Sequence, residues 1–388
     1  MVTFMNIKKR KICILGATGS IGTQVLDVVR TKKKLFDVIT LTTNSNIELL
    51  ENQCNEFNPK KVVISDFKAY NEFKRKTSYK GKILTGNDAL IQVASDKECD
   101  LIISSLVGFA GVMPTLSAIN AGINVALANK ETLVSAGEII IEAAKQNNVK
   151  ILPIDSEHNA ILQCILGEEK SFIEKLILTA SGGPFFNTNK DLFNKITAKQ
   201  ALKHPNWIMG NKVTIDSATM MNKGFEVIEA YWLFGIDINK IDVLIHPQSI
   251  VHSLVQFIDG SIKAQLGNPD MRMPISFALT YPKRFKYNFK RLNLSDVCNL
   301  QFFKPDIEKF VCLKIAFDAI KKGGNSPAIV NAANEVAVNA FIKERIKFID
   351  IPLFIEQALT NIPFIENPKL EEIIFTDIET RNYLNSKI

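Results

Sequence analysis

The chain has 388 residues, of which 46% are hydrophobic and 22% charged, a composition typical of globular proteins and not of disordered ones. No stretch reaches the roughly 18–20 consecutive apolar residues that a membrane-spanning helix needs, so we expect no membrane partner. A single core rarely grows beyond about 250–300 residues, and the length therefore predicts two or three domains.

The formal net charge of +7 leaves two kinds of partner open. One is nucleic acid; the other is a polyanionic cofactor with a phosphorylated substrate, whose association a positive field accelerates. The basic residues are scattered, and the densest run, from Lys8 to Lys11, lies ahead of the first predicted strand. We therefore expect small anionic ligands and no nucleic acid.

The six cysteines are far apart and form no CxxC pair. This spacing disfavours a zinc cluster or a disulfide scaffold and fits a reducing compartment. The residues ahead of the first predicted strand lack the apolar core of a signal peptide. We expect a cytoplasmic location, with a processed plastid form as the alternative.

Residues 1–153 alternate short apolar runs with helical patterns. Runs that are apolar throughout indicate strands buried on both faces of a parallel sheet covered by helices. The runs are Ile12–Leu15, Val38–Leu41, Val62–Ile64, Leu101–Ser104, Val125–Ala128 and Ile151–Ile154. The predicted fold class is α/β, with a doubly wound, Rossmann-like parallel sheet in this first domain.

The pattern changes after residue 153. Strand-like runs at Lys175–Thr179 and Val243–His246 are separated by loops rich in Gly and Pro, and such loops usually carry function. Helical spacing returns near the C-terminal end. We predict a central α/β catalytic domain at 154–281, an irregular linker at 282–304 and a small helical domain at 305–388.

A glycine-rich turn follows the first predicted strand and opens a helix, with Gly16, Gly19 and Gly22 at regular spacing. Such glycines let the backbone approach a pyrophosphate, whose charge then lies at the helix N-terminus. The second strand ends in 42–46, which contains no acid to hold a ribose 2′-hydroxyl. NADPH is therefore favoured over NADH, although no Lys or Arg stands in that segment to pair with a 2′-phosphate.

Two carboxylates, Asp155 and Glu157, end an apolar run. In an extended chain residues two apart point the same way, so both could hold one cation. Hard carboxylates without a neighbouring Cys suit Mg²⁺ or Mn²⁺. The alternative is an exposed strand end with solvated charges.

The segment 214–229 offers a hydroxyl, an amide and an ammonium in Ser217, Asn222 and Lys223, a mixture of donors that binds phosphate. Glu226 could complete a three-carboxylate metal site. We expect neither of the other two acids of the segment to be a metal ligand, and interpret Asp216 as a helix cap and Glu229 as a surface residue.

Lys130 lies at the carboxyl end of a predicted strand, where a cation can neutralise charge that develops on a substrate oxygen; the alternative is an ordinary loop lysine. The segment 204–210 contains His204, Trp207 and Gly210 and is predicted to be a lid whose indole covers a substrate. Of the other histidines, His158 is expected to support the carboxylates, and His246 and His252 to be structural.

Six motifs occur in one order: GATGSIG, ALANKE, PIDSEH, SGGPF, ALKHPNWIMG and TIDSATMMNKGFE. Together they resemble the 1-deoxy-D-xylulose-5-phosphate reductoisomerase family from Lys11 to at least Glu229. The resemblance implies a homodimeric, NADPH-dependent and divalent-metal-dependent enzyme. It would rearrange 1-deoxy-D-xylulose 5-phosphate and reduce the product to 2-C-methyl-D-erythritol 4-phosphate, in isoprenoid precursor synthesis by the non-mevalonate pathway.

The resemblance also assigns residues. NADPH contacts fall on Thr18, Gly19, Ser20, Ile21, Ser45, Asn46, Asn129, Glu131 and Gly210, and metal ligands on Asp155, Glu157 and Glu226. Substrate contacts fall on Lys130, Ser156, Glu157, Ser181, His204, Trp207, Ser217, Asn222, Lys223 and Glu226, of which Ser181, Ser217, Asn222 and Lys223 would hold the phosphate. Catalytic roles fall on Lys130, Asp155, Glu157, His204 and Glu226. Family members often carry Gly-Lys where this chain has Asn44-Ser45.

Two alternatives remain from the residues alone. A plain NADP-dependent dehydrogenase of the semialdehyde or homoserine type needs neither three carboxylates nor a separate phosphate cluster. A dinucleotide-sensing regulator or nucleic-acid binder would need no catalytic carboxylates, and turnover would exclude it.

Overall fold

The computed structural model describes residues 8–204, 207 and 210–388, which divide into two compact units. The first unit comprises the chain up to Asn129 together with Ile140–Asp155 and Met271–Phe289. The second comprises Lys130–Ile139, Ser156–Asp270 and Lys290–Ile388.

Eleven strands lie in the described part of the chain. They are β1 (Arg10–Leu15), β2 (Phe36–Thr43), β3 (Lys61–Ile64), β4 (Lys82–Thr85), β5 (Leu101–Ser104), β6 (Asn124–Leu127), β7 (Ile151–Pro153), β8 (Ile173–Ala180), β9 (Ile241–Ile245), β10 (Val251–Phe257) and β11 (Ile262–Leu266).

The same residues form fifteen α-helices. They are α1 (Ser20–Thr31), α2 (Ile47–Phe57), α3 (Phe67–Lys76), α4 (Asn87–Ala94), α5 (Val112–Asn120), α6 (Lys130–Gln146), α7 (Ser156–Ile165), α8 (Ala198–Ala201), α9 (Asn211–Thr219), α10 (Met221–Phe234), α11 (Arg272–Thr280), α12 (Val311–Lys322), α13 (Ser326–Ile342), α14 (Asp350–Asn361) and α15 (Leu370–Asn385).

The first unit contains a seven-stranded parallel sheet in the order β4-β3-β2-β1-β5-β6-β7. The order reverses beside β1, which pairs with both β2 and β5, and ligands bind at such a switch point in open α/β sheets. The predicted doubly wound sheet is confirmed. β4 was not predicted, because its residues are partly or fully exposed and form no apolar run.

The second unit contains a four-stranded mixed sheet in the order β11-β10-β8-β9. β10 runs antiparallel to β8 and β11, whereas β8 and β9 are parallel. Its C-terminal helices pack around α13, which is mostly apolar and buried along nearly its whole length, as expected for a helix at the centre of a helical layer. None of the described helices is both long and apolar enough to span a bilayer.

The unit boundaries depart from the predicted segments in two places. The N-terminal part of α6 belongs to the second unit and the rest to the first, and α6 leaves helical geometry at Ala136 (φ −136°, ψ 31°). In addition α11 packs on α1 in the first unit, where Arg10 donates to the Leu279 carbonyl at 2.7 Å. The functional division at 153, 281 and 304 stays a prediction.

The turn between β1 and α1 is held by glycines with no room for a side chain. Gly16 has φ +83°, and a Cβ there would lie 2.7 Å from the Ser105 carbonyl oxygen. A Cβ on Gly22 would lie 2.2 Å from the Gly16 carbonyl oxygen. The first turn of α1 can therefore approach β1 only with glycine at both positions.

We predict that Gly22→Ala lowers the free energy of unfolding by about 1–3 kcal/mol, because the added methyl forces the turn away from the helix. Urea denaturation of the variant and of Asp27→Ala measures this. Asp27 lies on the same helix in an exposed ion pair with Arg30, and its loss should cost less than about 0.5 kcal/mol. Equal stability of Gly22→Ala and the natural chain would contradict the packing argument.

Candidate functional site

The predicted NADPH contacts of the first unit lie at the carboxyl ends of neighbouring strands. The Thr18 hydroxyl is 2.6 Å from the Thr43 hydroxyl, which ties the glycine turn to the end of β2. Gly19 and Ser20 are exposed where α1 begins, and Ile21 is the next residue of the helix. Backbone N–H groups at such a helix start can receive a pyrophosphate.

The other predicted cofactor residues have separate settings. Ser45 is exposed, and Asn46 caps α2 by accepting from the Leu49 amide at 3.2 Å. Asn129 is buried after β6 and donates to the carbonyls of Leu106 and Gly108 at 2.8 and 3.0 Å.

Glu131 and Gly210 belong to the second unit. Gly210 is the N-cap residue of α9, and Glu131 pairs with Lys212. The cofactor roles of all these residues stay predictions.

Three predicted metal ligands come together. Oxygens of Asp155, Glu157 and Glu226 all lie within 4.8 Å of one another. The prediction that Asp155 and Glu157 point the same way along an extended strand was wrong. β7 ends at Pro153, and Ser156 already begins α7. An acid in the first turn is favourable at a helix N-terminus, which explains why this short polar run becomes helical.

Two lysines lie among these carboxylates. Lys223 Nζ donates to Glu157 Oε1 at 2.9 Å and also to Glu226 Oε2. Lys130 Nζ is 2.9 Å from Asn222 Oδ1 and 3.3 Å from Glu226 Oε1. Glu226 and Lys223 are buried, so two ammonium groups offset three carboxylates in a setting that water screens poorly.

The donor set fits a hard divalent cation. All three residues offer carboxylate oxygens, and the described cysteines lie elsewhere as free thiols, five of them buried. Oxygen ligands of this kind suit Mg²⁺ and Mn²⁺ better than softer metals.

A histidine and a glutamate, His158 and Glu229, lie directly behind Glu226. His158 Nε2 is 2.8 Å from the Glu226 carbonyl oxygen, and its Nδ1 is 3.3 Å from Glu229 Oε2. Both side chains are fully buried. The expectation that Glu229 is a surface residue was wrong, because it lies on the inner face of α10, one turn after Glu226.

Asp216 is also not the expected helix cap. It lies inside α9, fully buried, where it pairs with Lys212 at 2.9 Å and accepts from Asn334 at 2.8 Å. Burial raises the pKa of its carboxyl against the lowering effect of Lys212 and Asn334.

Ser181 has a defined hydrogen-bond role. Its Oγ accepts from the Gly183 amide at 3.2 Å and lies 3.1 Å from His204 Nε2. His204 Nδ1 accepts from the Trp207 amide at 3.0 Å, so the proton of a neutral His204 lies on Nε2 and faces Ser181. The Ser181 oxygen thus accepts hydrogen bonds from both Gly183 and His204. Its own O–H must point away from these two groups, where it can donate to an anion.

The loop after β8 packs closely on α9. Gly183 has φ +66°, and a Cβ there would lie 2.6 Å from the Ser217 carbonyl oxygen. This close packing brings the backbone near Ser181 against Ser217, and both residues are predicted phosphate contacts. The other two, Asn222 and Lys223, lie in the first turn of α10, after Met220 in a left-handed conformation (φ 61°). A helix N-terminus favours an anion.

Part of the predicted lid lies outside the described residues, namely Pro205, Asn206, Ile208 and Met209. The Trp207 ring lies 6.3 Å from that of His252, which is buried in β10. Burial lowers the pKa of His252 while Glu157 raises it, so this histidine belongs to the surroundings of the carboxylates.

Comparison with known proteins decides the family. Family models described as 1-deoxy-D-xylulose 5-phosphate reductoisomerase, its C-terminal domain, and the DXP reductoisomerase C-terminal domain match residues 12–137, 151–234 and 266–383. The chain belongs to the 1-deoxy-D-xylulose 5-phosphate reductoisomerase family. The resemblance read from the six motifs is thereby confirmed, and it extends well beyond Glu229.

Individual family members match over nearly the whole chain. The reductoisomerase of Bacteroides fragilis is 49% identical over 376 residues, 97% of each chain, and that of a Geobacillus species is 49% identical over 97% of this chain and 99% of its own. The Zymomonas mobilis enzyme in complex with NADPH has a TM-score of 0.90 at 41% identity, covering 97% of this chain and 98% of its own. A reductoisomerase complex with NADPH, fosmidomycin and magnesium has a TM-score of 0.93 at 41% identity, with the same coverage.

Sequence reasoning missed the buried polar residues that support the site. Glu229 follows Glu226 by one helical turn, and Asp216 follows Lys212 by four residues; both spacings place the two side chains on one helix face. This periodicity was available in the sequence. The contact from Asn334 was not, because it lies over a hundred residues away.

We predict that His204 makes stability depend on pH. Burial lowers its pKa from 6.5 to about 4. Between these values the unfolded chain takes up a proton that the folded chain does not, so the free energy of unfolding falls as the pH falls from 6.5 to 4. His204→Gln should show a shallower fall than the natural chain in urea titrations at several pH values.

Lys203→Gln is the control for this measurement, because it changes the neighbouring side chain and leaves the imidazole of His204 in place. Its pH dependence should match that of the natural chain. Parallel curves for His204→Gln and the natural chain would mean that the histidine is not held neutral.

Proposed function

We propose that this chain converts 1-deoxy-D-xylulose 5-phosphate to 2-C-methyl-D-erythritol 4-phosphate with NADPH and a divalent cation. The observation that carries the proposal is the group of three carboxylates within 4.8 Å, with two lysines and an amide beside it. The two alternative functions need no such arrangement: a dehydrogenase can work without a metal, and a dinucleotide-sensing regulator has no catalytic carboxylates. Membership of the reductoisomerase family also disfavours both.

The substrate phosphate is held by Ser181, Ser217, Asn222 and Lys223. The outward O–H of Ser181, the start of α10 and the Lys223 ammonium supply donors and positive charge. Because the phosphate is remote from the reacting carbons, its binding energy can be used to organise the site around them. The Trp207 indole covers the bound substrate and excludes water.

The reacting end lies at the carboxylates. Asp155, Glu157 and Glu226 hold a cation that, when bound, polarises the ketone and hydroxyl oxygens for rearrangement and the aldehyde for reduction. Lys130, already beside Glu226, neutralises charge on a substrate oxygen. Ser156 donates to Glu157 at 2.6 Å and keeps that carboxylate oriented. His204 stays neutral and holds Ser181.

NADPH binds through Thr18, Gly19, Ser20 and Ile21 at the glycine turn and through Ser45, Asn46 and Asn129 after the strand ends; its other contacts are Glu131 and Gly210. When bound it supplies the hydride. Since 42–46 contains no basic residue, neutral groups and the start of α2 hold the 2′-phosphate. We also propose that the chain forms a homodimer and acts in the cytoplasm. Sedimentation of the purified chain tests the oligomeric state.

The direct test is NADPH oxidation with 1-deoxy-D-xylulose 5-phosphate, with and without EDTA. Turnover that EDTA abolishes and Mg²⁺ or Mn²⁺ restores is expected. No turnover in any condition would refute the proposed function, and full turnover after chelation would refute its metal.

For the cofactor we predict that Ser45→Asp lowers the ratio of kcat/KM for NADPH over NADH by about tenfold or more, because a carboxylate there repels the 2′-phosphate. Ser45→Ala, which adds no charge, is the control and should keep the ratio. Equal use of both cofactors by the natural chain would remove the basis of this prediction.

For the metal we predict that Glu226→Gln lowers kcat/KM by at least about a hundredfold and weakens Mn²⁺ binding by at least about tenfold. NADPH affinity should be unchanged, because the predicted cofactor contacts do not include Glu226. Asp242→Asn, which removes an exposed acid paired with Lys175, should change neither quantity. Coincident Mn²⁺ titrations for Glu226→Gln and the natural chain would contradict the assignment.

A further inference from the structure

Lys212 is a cation in an unfavourable place. It is the second residue of α9, where a positive charge opposes the helix dipole, and its side chain is only 16% exposed. Its ammonium is 2.5 Å from Glu131 Oε1, 2.9 Å from Asp216 Oδ2, and 4.9 Å from the centroid of the Phe225 ring. A buried ammonium requires such partners.

The contacts continue into the C-terminal helices. Asp216 accepts from Asn334 on α13 at 2.8 Å. The next residue, Glu335, accepts from Arg381 at 2.8 Å, and Arg381 also donates to Asp377 on α15 at 2.7 Å. Polar side chains thus join the start of α6, α9, α13 and α15 within the second unit.

Both carboxylates that hold Lys212 are next in the chain to residues of the proposed site. Glu131 follows Lys130, whose ammonium contacts Asn222 and Glu226. Asp216 precedes Ser217, whose carbonyl oxygen lies against Gly183. The backbone that carries each of these carboxylates therefore also carries, one residue away, a residue that would touch the substrate.

We propose that Lys212 is a positioning residue for the sugar-phosphate site, which rests on the proposed function. Through Glu131 and Asp216 it sets the separation of Lys130, at the reacting end, from Ser217, at the phosphate end. Asn334 fixes the same carboxylate from the C-terminal helices, so those helices take part in substrate binding without touching the substrate.

The test compares Lys212→Met with Lys212→Arg in the full chain. Lys212→Met keeps the length of the side chain but removes the ammonium that contacts both carboxylates. KM for the sugar phosphate should rise by about ten- to a hundredfold and kcat should fall as well, because Ser217 at the phosphate end and Lys130 at the reacting end both lose their placement. Lys212→Arg restores the charge and should recover most of the loss.

Lys175→Met is the matched control, since Lys175 lies in an exposed pair with Asp242. It should change neither KM nor thermal stability. A folded Lys212→Met with unchanged KM, or a KM that Lys212→Arg does not recover, would overturn the proposal.

If Lys212→Met does not fold, Asn334→Leu decides, because it cuts the same connection without removing a charge. It should raise KM for the sugar phosphate by about threefold or more, and an unchanged KM would overturn the proposal. If the natural chain itself does not turn over the substrate, the proposed function fails first. The positioning role is then measured by amide hydrogen exchange at residues 214–219, which Asn334→Leu should accelerate. Unchanged exchange rates would overturn the proposal.

Discussion

Lys223 donates to Glu157 and Glu226 at once, from the first turn of α10 to the first turn of α7. Two like charges 4 Å apart repel by about 4 kcal/mol at an effective dielectric constant of 20. A typical domain is stable by only about 5–15 kcal/mol. Three carboxylates in one place therefore need compensating charge in the folded chain itself, and Lys223 together with Lys130 supplies it.

The helices around the three carboxylates are themselves held by buried polar contacts. α10 must present Glu226 inward, and behind it the buried His158 binds the Glu226 carbonyl and meets Glu229. α9 must present Ser217 beside the loop after β8, and the Lys212–Asp216 pair with Asn334 holds that helix. Glu226 and the helix that carries Ser217 are thus each supported by a buried polar contact from another helix, α7 for Glu226 and α13 for α9.

Much of this was predictable from local patterns. Six continuous apolar runs identified six of the seven parallel strands, because strands buried on both faces carry no polar alternation. The acids Asp155, Glu157 and Glu226 were found as residue types that share a chemistry, but strand geometry was wrongly assigned to the first two. Their approach to Glu226 depends on the packing of α7 against α10, which no local pattern encodes.

The supporting shell was predicted least well. Asp216 and Glu229 were expected at helix ends or surfaces because charged residues are seldom fully buried. Their burial depends on partners distant in sequence, such as Asn334 for Asp216, or on a histidine in another helix, such as His158 for Glu229. When the partner of a buried charge comes from a remote segment, the local sequence wrongly predicts that the charged side chain is exposed.

With the proposed function, Lys223 and a divalent cation compensate the same carboxylates. Binding of Mn²⁺ to Lys223→Met and to the natural chain, without substrate or cofactor, measures this most directly. Removing the ammonium leaves more negative charge at Glu157 and Glu226, so Mn²⁺ should bind at least about tenfold tighter to the variant, even though its phosphate binding is lost. Weaker Mn²⁺ binding by Lys223→Met would mean that the ammonium and the cation do not compensate the same carboxylates.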